Sequence, residues 1–142
     1  MHIIGGVQGS GKAFESYKDV YTYHGAMPQK QLFKTYQEFD ILVLPTVFEG
    51  FGLVIPEAMA AGLPVITTQN SFGYEIINHR ENGSIIPIRN TDAIIKEILY
   101  FASLNNGSFN QMRMAAKKSA EDYSREQFRQ RIKNVINDIC LI

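Results

Sequence analysis

Two glutamates near the middle of the chain have the type and spacing of a site for a hydroxyl-rich ligand. Glu49 lies in "FEGFG" (48–52) and Glu57 lies in "LVIPEAMAAG" (53–62), with seven residues between the two glutamates. The two glycines of the first stretch allow a ligand to approach the backbone closely. Carboxylates accept hydrogen bonds from paired hydroxyls, and charged acceptors form the stronger hydrogen bonds. The pair is therefore suited to holding a sugar.

The stretch that carries Glu57 predicts a helix, which Gly62 would end. Ile55 and Met59 share one side of this helix. Glu57 lies about 200° around the axis from Ile55 and should point away from the core. The first backbone N–H groups of the helix, near its start at residues 52–53, have no helical partner. With the helix dipole they form an anion site that would fit a diphosphate.

Both glutamates also have ordinary structural explanations. A carboxylate just before a helix, such as Glu49, interacts favourably with the helix dipole. Glu57 could be a solvated surface residue on the outer side of the helix. Spacing alone does not choose between these roles and a binding site.

A second candidate motif lies near the start of the chain, in "GGVQGSGKAF" (5–14). Gly6 is followed by four residues and then by Gly11 and Lys12, which is the spacing of a phosphate-binding P-loop. The motif requires a hydroxyl at the next position to ligate Mg²⁺, and Ala13 has none. The strand predicted at 41–45 also ends without an acidic partner for the metal. We therefore expect a glycine-rich turn here and disfavour an NTPase.

Strands alternate with helices along most of the chain. Apolar and β-branched runs predict five strands, at 1–4, 20–24, 41–45, 64–68 and 84–88. This alternation predicts an α/β fold with a Rossmann-like, doubly wound parallel sheet and additional helices at the C-terminal end. Ligands of such sheets bind beyond the carboxyl ends of the strands, which is where Glu49 lies.

Two of the predicted helices carry apolar stripes. Thr91 is predicted to cap one of them, whose shared face is Ile94, Ile95, Ile98, Leu99 and Ala102. The last helix, at 125–139, has a stripe formed by Phe128, Ile132, Val135, Ile136 and Ile139. The second stripe predicts either core packing or docking against a neighbouring domain.

Composition narrows the class of protein. The 142 residues include 14 Lys and Arg against 14 Asp and Glu, so nothing favours a nucleic-acid partner. The single Cys140 excludes an internal disulfide or a zinc cluster, and we interpret it as a small apolar residue. No apolar run is long enough to span a membrane and no signal peptide is recognisable, so we expect a cytoplasmic protein. Its length predicts a single domain, 1–142.

The stretch from 45 to 67, "PTVFEGFGLVIPEAMAAGLPVIT", resembles the signature of the family 4 glycosyltransferases. These are retaining enzymes that use nucleotide sugars and have the GT-B fold. Their pattern is a strand, P-S/T, a spacer, E-G-F-G, a few apolar residues, and P/L-E-A-M-A-x-G-x-P-V. The flanking segments "HGAMPQKQLFKTYQEFDILVLPT" and "ENGSIIPIRNTDAIIKEI" are similar to the neighbouring family segments, and the resemblance covers about residues 1–139.

The resemblance implies a role for each matching position. Glu49 would contact the donor sugar as the catalytic-site glutamate, and Glu57 would bind the ribose hydroxyls. Backbone groups would complete the site, with Phe51, Gly52 and Leu53 at the sugar and diphosphate, and Gly25, Ala26 and Met27 beside the base. The implied reaction is retaining transfer of a glycosyl group to an acceptor hydroxyl. No D-x-D sequence occurs, which fits an enzyme that requires neither a metal nor a cofactor besides its donor.

The sequence also departs from the family pattern. The family's first strand and its phosphate-binding Arg and Lys have no counterpart here, so we expect a C-terminal, donor-binding half without the N-terminal acceptor domain. Such a half would bind donor weakly and transfer little. "SFGYE" (71–75) stands where the family often has G-G-x-x-E, which retains Glu75 but leaves the shape of the loop open.

The resemblance implies partners and a setting as well. A sugar or lipid-linked acceptor would bind to the missing domain, and family habit favours surface-polysaccharide synthesis with peripheral contact at the inner face of the membrane. The alternative is a non-catalytic nucleotide- or sugar-binding or interaction module of the same fold.

Overall fold

The structure is a computed structural model that describes residues 1–7 and 15–140, without the side chains of 125 and 138–140. The P-loop-like interpretation of Lys12 and Ala13 lies outside the described residues, and the apolar role given to Cys140 concerns a side chain that is not described. The chain divides into two compact units, 1–35 and 36–142.

The first unit contains two short parallel strands, β1 (His2–Ile3) and β2 (Thr22–Tyr23). The N–H of Thr22 donates to the carbonyl of Met1 at 2.9 Å, and the N–H of His24 donates to the carbonyl of Ile3 at 2.9 Å. Helix α1 (Gln29–Tyr36) follows β2, and Pro28 immediately precedes it.

The second unit contains a three-stranded parallel sheet with the order β3-β4-β5. Its strands are β3 (Leu42–Leu44), β4 (Val65–Thr68) and β5 (Gly83–Ile86). Its helices are α2 (Val54–Ala60), α3 (Gly73–Ile76), α4 (Thr91–Ser103), α5 (Asn106–Glu121) and α6 (Arg125–Cys140). The predicted α/β class with parallel strands is confirmed.

Strand β4 lies at the centre of the second unit, and all four of its residues are buried. Because successive side chains of a strand point to opposite faces, burial of every residue means that both faces are covered. Ile66 packs in a cluster with Ile86, Phe101 and Met112. Helix α2 packs on α5. This arrangement fixes the loops that follow β3 and β4 on a rigid base.

Helix α4 differs from its prediction in both its cap and its buried face. Asn90, not Thr91, is the N-cap, and its side-chain oxygen accepts a hydrogen bond from the N–H of Ala93 at 2.9 Å. The helix buries Glu97 and Phe101, whereas four members of the predicted face are exposed, namely Ile95, Ile98, Leu99 and Ala102. The predicted face was wrong because the helix turns Glu97 and Phe101 inward, and neither residue belongs to the apolar stripe.

The burial of Glu97 is explained by its partners. Its two carboxylate oxygens accept hydrogen bonds from the guanidinium of Arg80, at 3.1 and 2.8 Å, and one also accepts from the hydroxyl of Ser84 at 2.7 Å. The Arg80 guanidinium, as the largest cause, lowers the pKa of the Glu97 carboxyl below its ordinary value. The free-energy cost of burying a carboxylate is low when it is paired and hydrogen-bonded. The side of the helix that carries Glu97 can therefore face the interior.

The apolar stripe of α6 remains on the surface of the unit. Phe128, Ile132, Val135 and Ile136 are all exposed. Of the two predicted roles, core packing within this chain is wrong for these four residues, and docking stays a prediction. Within residues 1–7 and 15–140, no helix is long and apolar enough to cross a membrane.

Candidate functional site

The loops that follow β3 and β4 enclose an open cavity of about 540 Å³ in the second unit. Its described lining combines aromatic rings, carboxylates and side-chain amides. The lining residues are Phe48, Glu49, Gly50, Phe51, Gln69, Asn70, Ser71, Phe72 and Glu75. Two carboxylates are present in this lining, and neither Lys nor Arg is. The side chains of the described lining therefore suit the hydroxyls of a sugar, and a phosphate beside them would depend on backbone N–H groups.

Asn70 holds the loop that carries Glu49. Its carbonyl accepts a hydrogen bond from the N–H of Glu49 at 3.1 Å, and its side-chain amide donates to the carbonyl of Val47 at 3.0 Å. The loop after β3 is thus joined to the loop after β4 by both the backbone and the side chain of one residue. Sequence analysis missed Asn70, because nothing in the sequence places the two loops side by side.

Two threonines of β4 form hydrogen bonds with the end of β3 and with the start of the loop that follows it. The hydroxyl of Thr67 donates to the carbonyl of Leu44 at 2.9 Å, and the hydroxyl of Thr68 donates to the carbonyl of Thr46 at 2.7 Å. Both threonines are fully buried. They pair with the carbonyl of Leu44, the last residue of β3, and with the carbonyl of Thr46, two residues further on; the Leu44 carbonyl also accepts from the N–H of Thr46 at 2.9 Å.

Gly52 lies directly against the side chain of Glu49. Its φ is +63°, a conformation that favours glycine, and an added Cβ would lie 2.9 Å from Cγ of Glu49. The next contact of such a Cβ would be Cδ1 of Ile55, at 3.4 Å. A glycine at this position therefore leaves the space in which the Glu49 side chain lies.

Helix α2 presents Glu57 as its periodicity predicts. Ile55 and Met59 are fully buried, while Glu57 is half-buried. Burial is the main cause that raises the pKa of Tyr36 to about 12, and the charge of Glu57 is the second cause. The helix has only seven residues, and its N-cap, Leu53, offers no side-chain acceptor. Any anion at this end would depend on individual N–H groups more than on a long helix dipole.

The "SFGYE" loop has a definite shape. Ser71 is buried, its hydroxyl donates to the carbonyl of Thr68 at 2.8 Å, and its oxygen accepts from the N–H of Gly73 at 3.2 Å. Phe72 stacks on Phe51 with ring centroids 4.7 Å apart and an interplanar angle of 15°. Glu75 lines the cavity beside them. The two residues that replace the glycines of the resembled pattern thus connect this loop to its surroundings.

The predicted site residues fall into three places. Glu49 and Phe51 line the cavity, and 52–57 form the adjoining turn and the first part of α2. Gly25 and Met27 belong to the first unit. There the carbonyl of Gly25 accepts from the N–H of Gly5 at 2.8 Å, and the sulfur of Met27 accepts from the hydroxyl of Thr35 at 3.9 Å. Among the described residues, no group of three or more His, Cys, Asp or Glu could hold a metal ion.

Comparisons with known proteins identify the family of this chain. The model of the family described as "Glycosyl transferases group 1" matches residues 12–123. An uncharacterized glycosyltransferase of Methanocaldococcus jannaschii is 44% identical over 61 residues, which make up 43% of this chain and 16% of that protein. Across eight curated relatives, the aligned segment spans only 12% to 32% of the relative's length.

Solved structures share the fold. A sucrose-phosphate synthase from Thermosynechococcus elongatus superposes with a TM-score of 0.85 at 20% identity, covering 99% of this chain and 38% of that one. Anabaena HepE in complex with UDP superposes with a TM-score of 0.81 at 17% identity, covering 96% of this chain and 40% of that one.

Proposed function

Because this chain belongs to the group 1 glycosyl transferases, we propose that it is the donor-binding C-terminal half of a retaining, family 4 enzyme with the GT-B fold. In this proposal 1–142 is one donor-binding domain, and the N-terminal acceptor domain belongs to a longer protein. The single observation that carries the proposal is the cavity beyond β3 and β4, which contains Glu49 and lies inside the segment matched by the family.

Each predicted residue keeps its proposed role. Glu49 accepts hydrogen bonds from hydroxyls of the donor sugar, and Glu57 accepts them from the ribose. The amides of 51–53 donate to the diphosphate, and Gly25 and Met27 border the base. The fit is chemical: half-buried carboxylates are strong acceptors for paired hydroxyls, and backbone N–H groups donate to anions without a charged side chain.

The proposed reaction depends on the departure of a nucleoside diphosphate from the anomeric carbon. The transition state resembles an oxocarbenium ion, and the protein stabilises the charge that develops on the leaving group. The acceptor oxygen bonds to the anomeric carbon on the face that the diphosphate leaves, and the departing diphosphate takes up the proton of the acceptor hydroxyl. No metal or cofactor step is proposed. UDP-sugars are the first donors to test, because HepE has been solved with UDP.

The proposed setting follows from the family resemblance. The acceptor is a sugar or a lipid-linked sugar, used in polysaccharide synthesis. The protein would act in the cytoplasm, with peripheral contact at the inner face of the membrane.

Calorimetric titration of the 142-residue chain tests this function. UDP-glucose, GDP-mannose and ADP-glucose are added with EDTA and, separately, with Mg²⁺. We expect one donor to bind in EDTA, and Glu57→Ala to weaken it by about tenfold to hundredfold, because hydrogen bonds to a charged acceptor are lost. Glu81→Ala, at an exposed glutamate outside the cavity, is the matched control.

Other outcomes would favour the alternatives. No binding of any nucleotide sugar indicates a non-catalytic module of this fold. ATP is titrated in the same way. Binding of ATP that strictly requires Mg²⁺ would overturn the proposal in favour of an NTPase.

A further inference from the structure

Three aromatic rings form a continuous row from the Glu49 loop to the end of α5. Phe51 stacks on Phe72, and Phe72 meets Tyr123 edge to face, with centroids 5.0 Å apart and an interplanar angle of 83°. Both geometries are among the favourable arrangements of aromatic pairs. Phe72 is the middle ring, so it is the residue on which the row depends.

The row joins the same two loops as Asn70 does. Phe51 lies two residues after Glu49, and Phe72 lies two residues after Asn70, whose carbonyl accepts the Glu49 N–H. Near Glu49 the loop is therefore held by one polar and one aromatic contact, in addition to the threonine hydrogen bonds at its start. Removal of the aromatic contact should leave only the polar contact near Glu49 and a less ordered Glu49.

The row also forms part of the cavity wall. Phe51 and Phe72 line the cavity together with Glu49 and Glu75. Phe51 is 56% exposed although it is stacked, so part of its ring remains available to a ligand. Apolar ring surface beside carboxylates matches a sugar ring, which has C–H faces and hydroxyl edges.

We propose that Phe72 is a positioning residue for Glu49, and that with Phe51 it forms the apolar wall against which the glycosyl group of the donor packs. The first half concerns the loop alone, whereas the second half rests on the proposed function. Phe72 would then influence binding of the sugar part of the donor more than binding of the nucleoside diphosphate.

Hydrogen exchange of the ligand-free chain tests the positioning role. We expect Phe72→Ala to accelerate exchange at the Glu49 amide by about tenfold, the order that aromatic contacts contribute. Phe72→Tyr keeps the ring and should restore slow exchange. Tyr74→Ala removes an exposed aromatic two residues away and is the matched control. Unchanged exchange at Glu49 in Phe72→Ala, with the variant folded by circular dichroism, overturns the positioning role.

Paired titrations test the apolar wall formed by Phe51 and Phe72. UDP-glucose, GDP-mannose and ADP-glucose are each compared with their own nucleoside diphosphate. Phe72→Ala should weaken the sugar nucleotide about tenfold and the diphosphate by less than about twofold. Equal weakening of both, or no change in either, overturns the wall. Failure of every donor to bind the wild-type chain overturns the proposed function and the wall together, while hydrogen exchange still decides the positioning role.

Discussion

Replacement of Gly52 by alanine tests the close contact between Gly52 and the side chain of Glu49. At a φ of +63° an L-residue is strained by about 1 kcal/mol. The new Cβ would also lie 2.9 Å from Cγ of Glu49, which must rotate away. An off-rotamer side chain costs about 1 kcal/mol more. We therefore expect Gly52→Ala to lower the free energy of unfolding by about 2 kcal/mol.

Two other glycines separate strain from displacement. Gly62 has a φ of +82°, but its added Cβ would meet only the carbonyl of Arg113, at 3.9 Å. Gly62→Ala should therefore cost about 1 kcal/mol and leave Glu49 undisturbed. Gly50 lies in the cavity loop, and an added Cβ there would meet nothing within 4 Å. Gly50→Ala should change stability by less than about 0.5 kcal/mol.

Thermal unfolding and donor titration distinguish the three variants. For a chain of this size, 1 kcal/mol corresponds to about 3–5 °C in Tm. We expect Tm to fall by about 6–10 °C in Gly52→Ala and by about half of that in Gly62→Ala. Donor affinity should fall only in Gly52→Ala. If Gly52→Ala and Gly62→Ala lose equal stability and both retain donor affinity, the inferred contact between Gly52 and Glu49 is wrong.

Three further substitutions test the framework of the second unit. Glu97 has a lowered pKa, so its contribution to the free energy of unfolding is present above its ordinary pKa of 4.5 and is lost as pH falls through the folded-state pKa. Glu97→Gln should therefore make the free energy of unfolding depend less on pH in urea unfolding measured from pH 7 to pH 3. Asn82 is buried and forms hydrogen bonds with Ile76, Asn78 and Ser119. Asn82→Leu should therefore lower the free energy of unfolding by about 2–3 kcal/mol. Asn134→Ala, at an exposed asparagine, is the control and should lower it by less than about 0.5 kcal/mol. Gly83→Ala would place a Cβ 2.6 Å from the carbonyl of Val65 and should lower Tm by more than about 6 °C; an unchanged Tm would contradict the β4–β5 pairing.

Local sequence patterns predicted the strands and helices, because apolar runs and glycine positions reflect the physical preferences of short segments. Apolar runs marked the five strands found in the described part of the chain, and their alternation with helices implied parallel pairing. Gly62 marked the end of α2, where its N–H donates to the carbonyl of Met59 at 2.9 Å. The spacing within α2 correctly predicted that Ile55 and Met59 are buried and that Glu57 is not, although it did not predict the burial of Ala58.

Contacts between residues that are distant in the sequence could not be predicted. Leu44 pairs with Thr67, and only this register shows why a hydroxyl is needed at the buried position 67. The stack of Phe51 on Phe72 depends on two loops that are distant in sequence. The buried Glu97 could not be recognised without its partner Arg80, 17 residues away. In each case the contact is set by tertiary structure and not by a local pattern.

The most direct test of the central claim is a ¹H–¹⁵N correlation spectrum of the 142-residue chain during addition of a donor that binds. The proposed site predicts that the largest shift changes occur at the amides of Glu49 and residues 51–53, in EDTA. Amides of α4, on a separate part of the second unit, should stay unchanged. Shift changes confined to other segments would contradict a donor site at the Glu49 cavity.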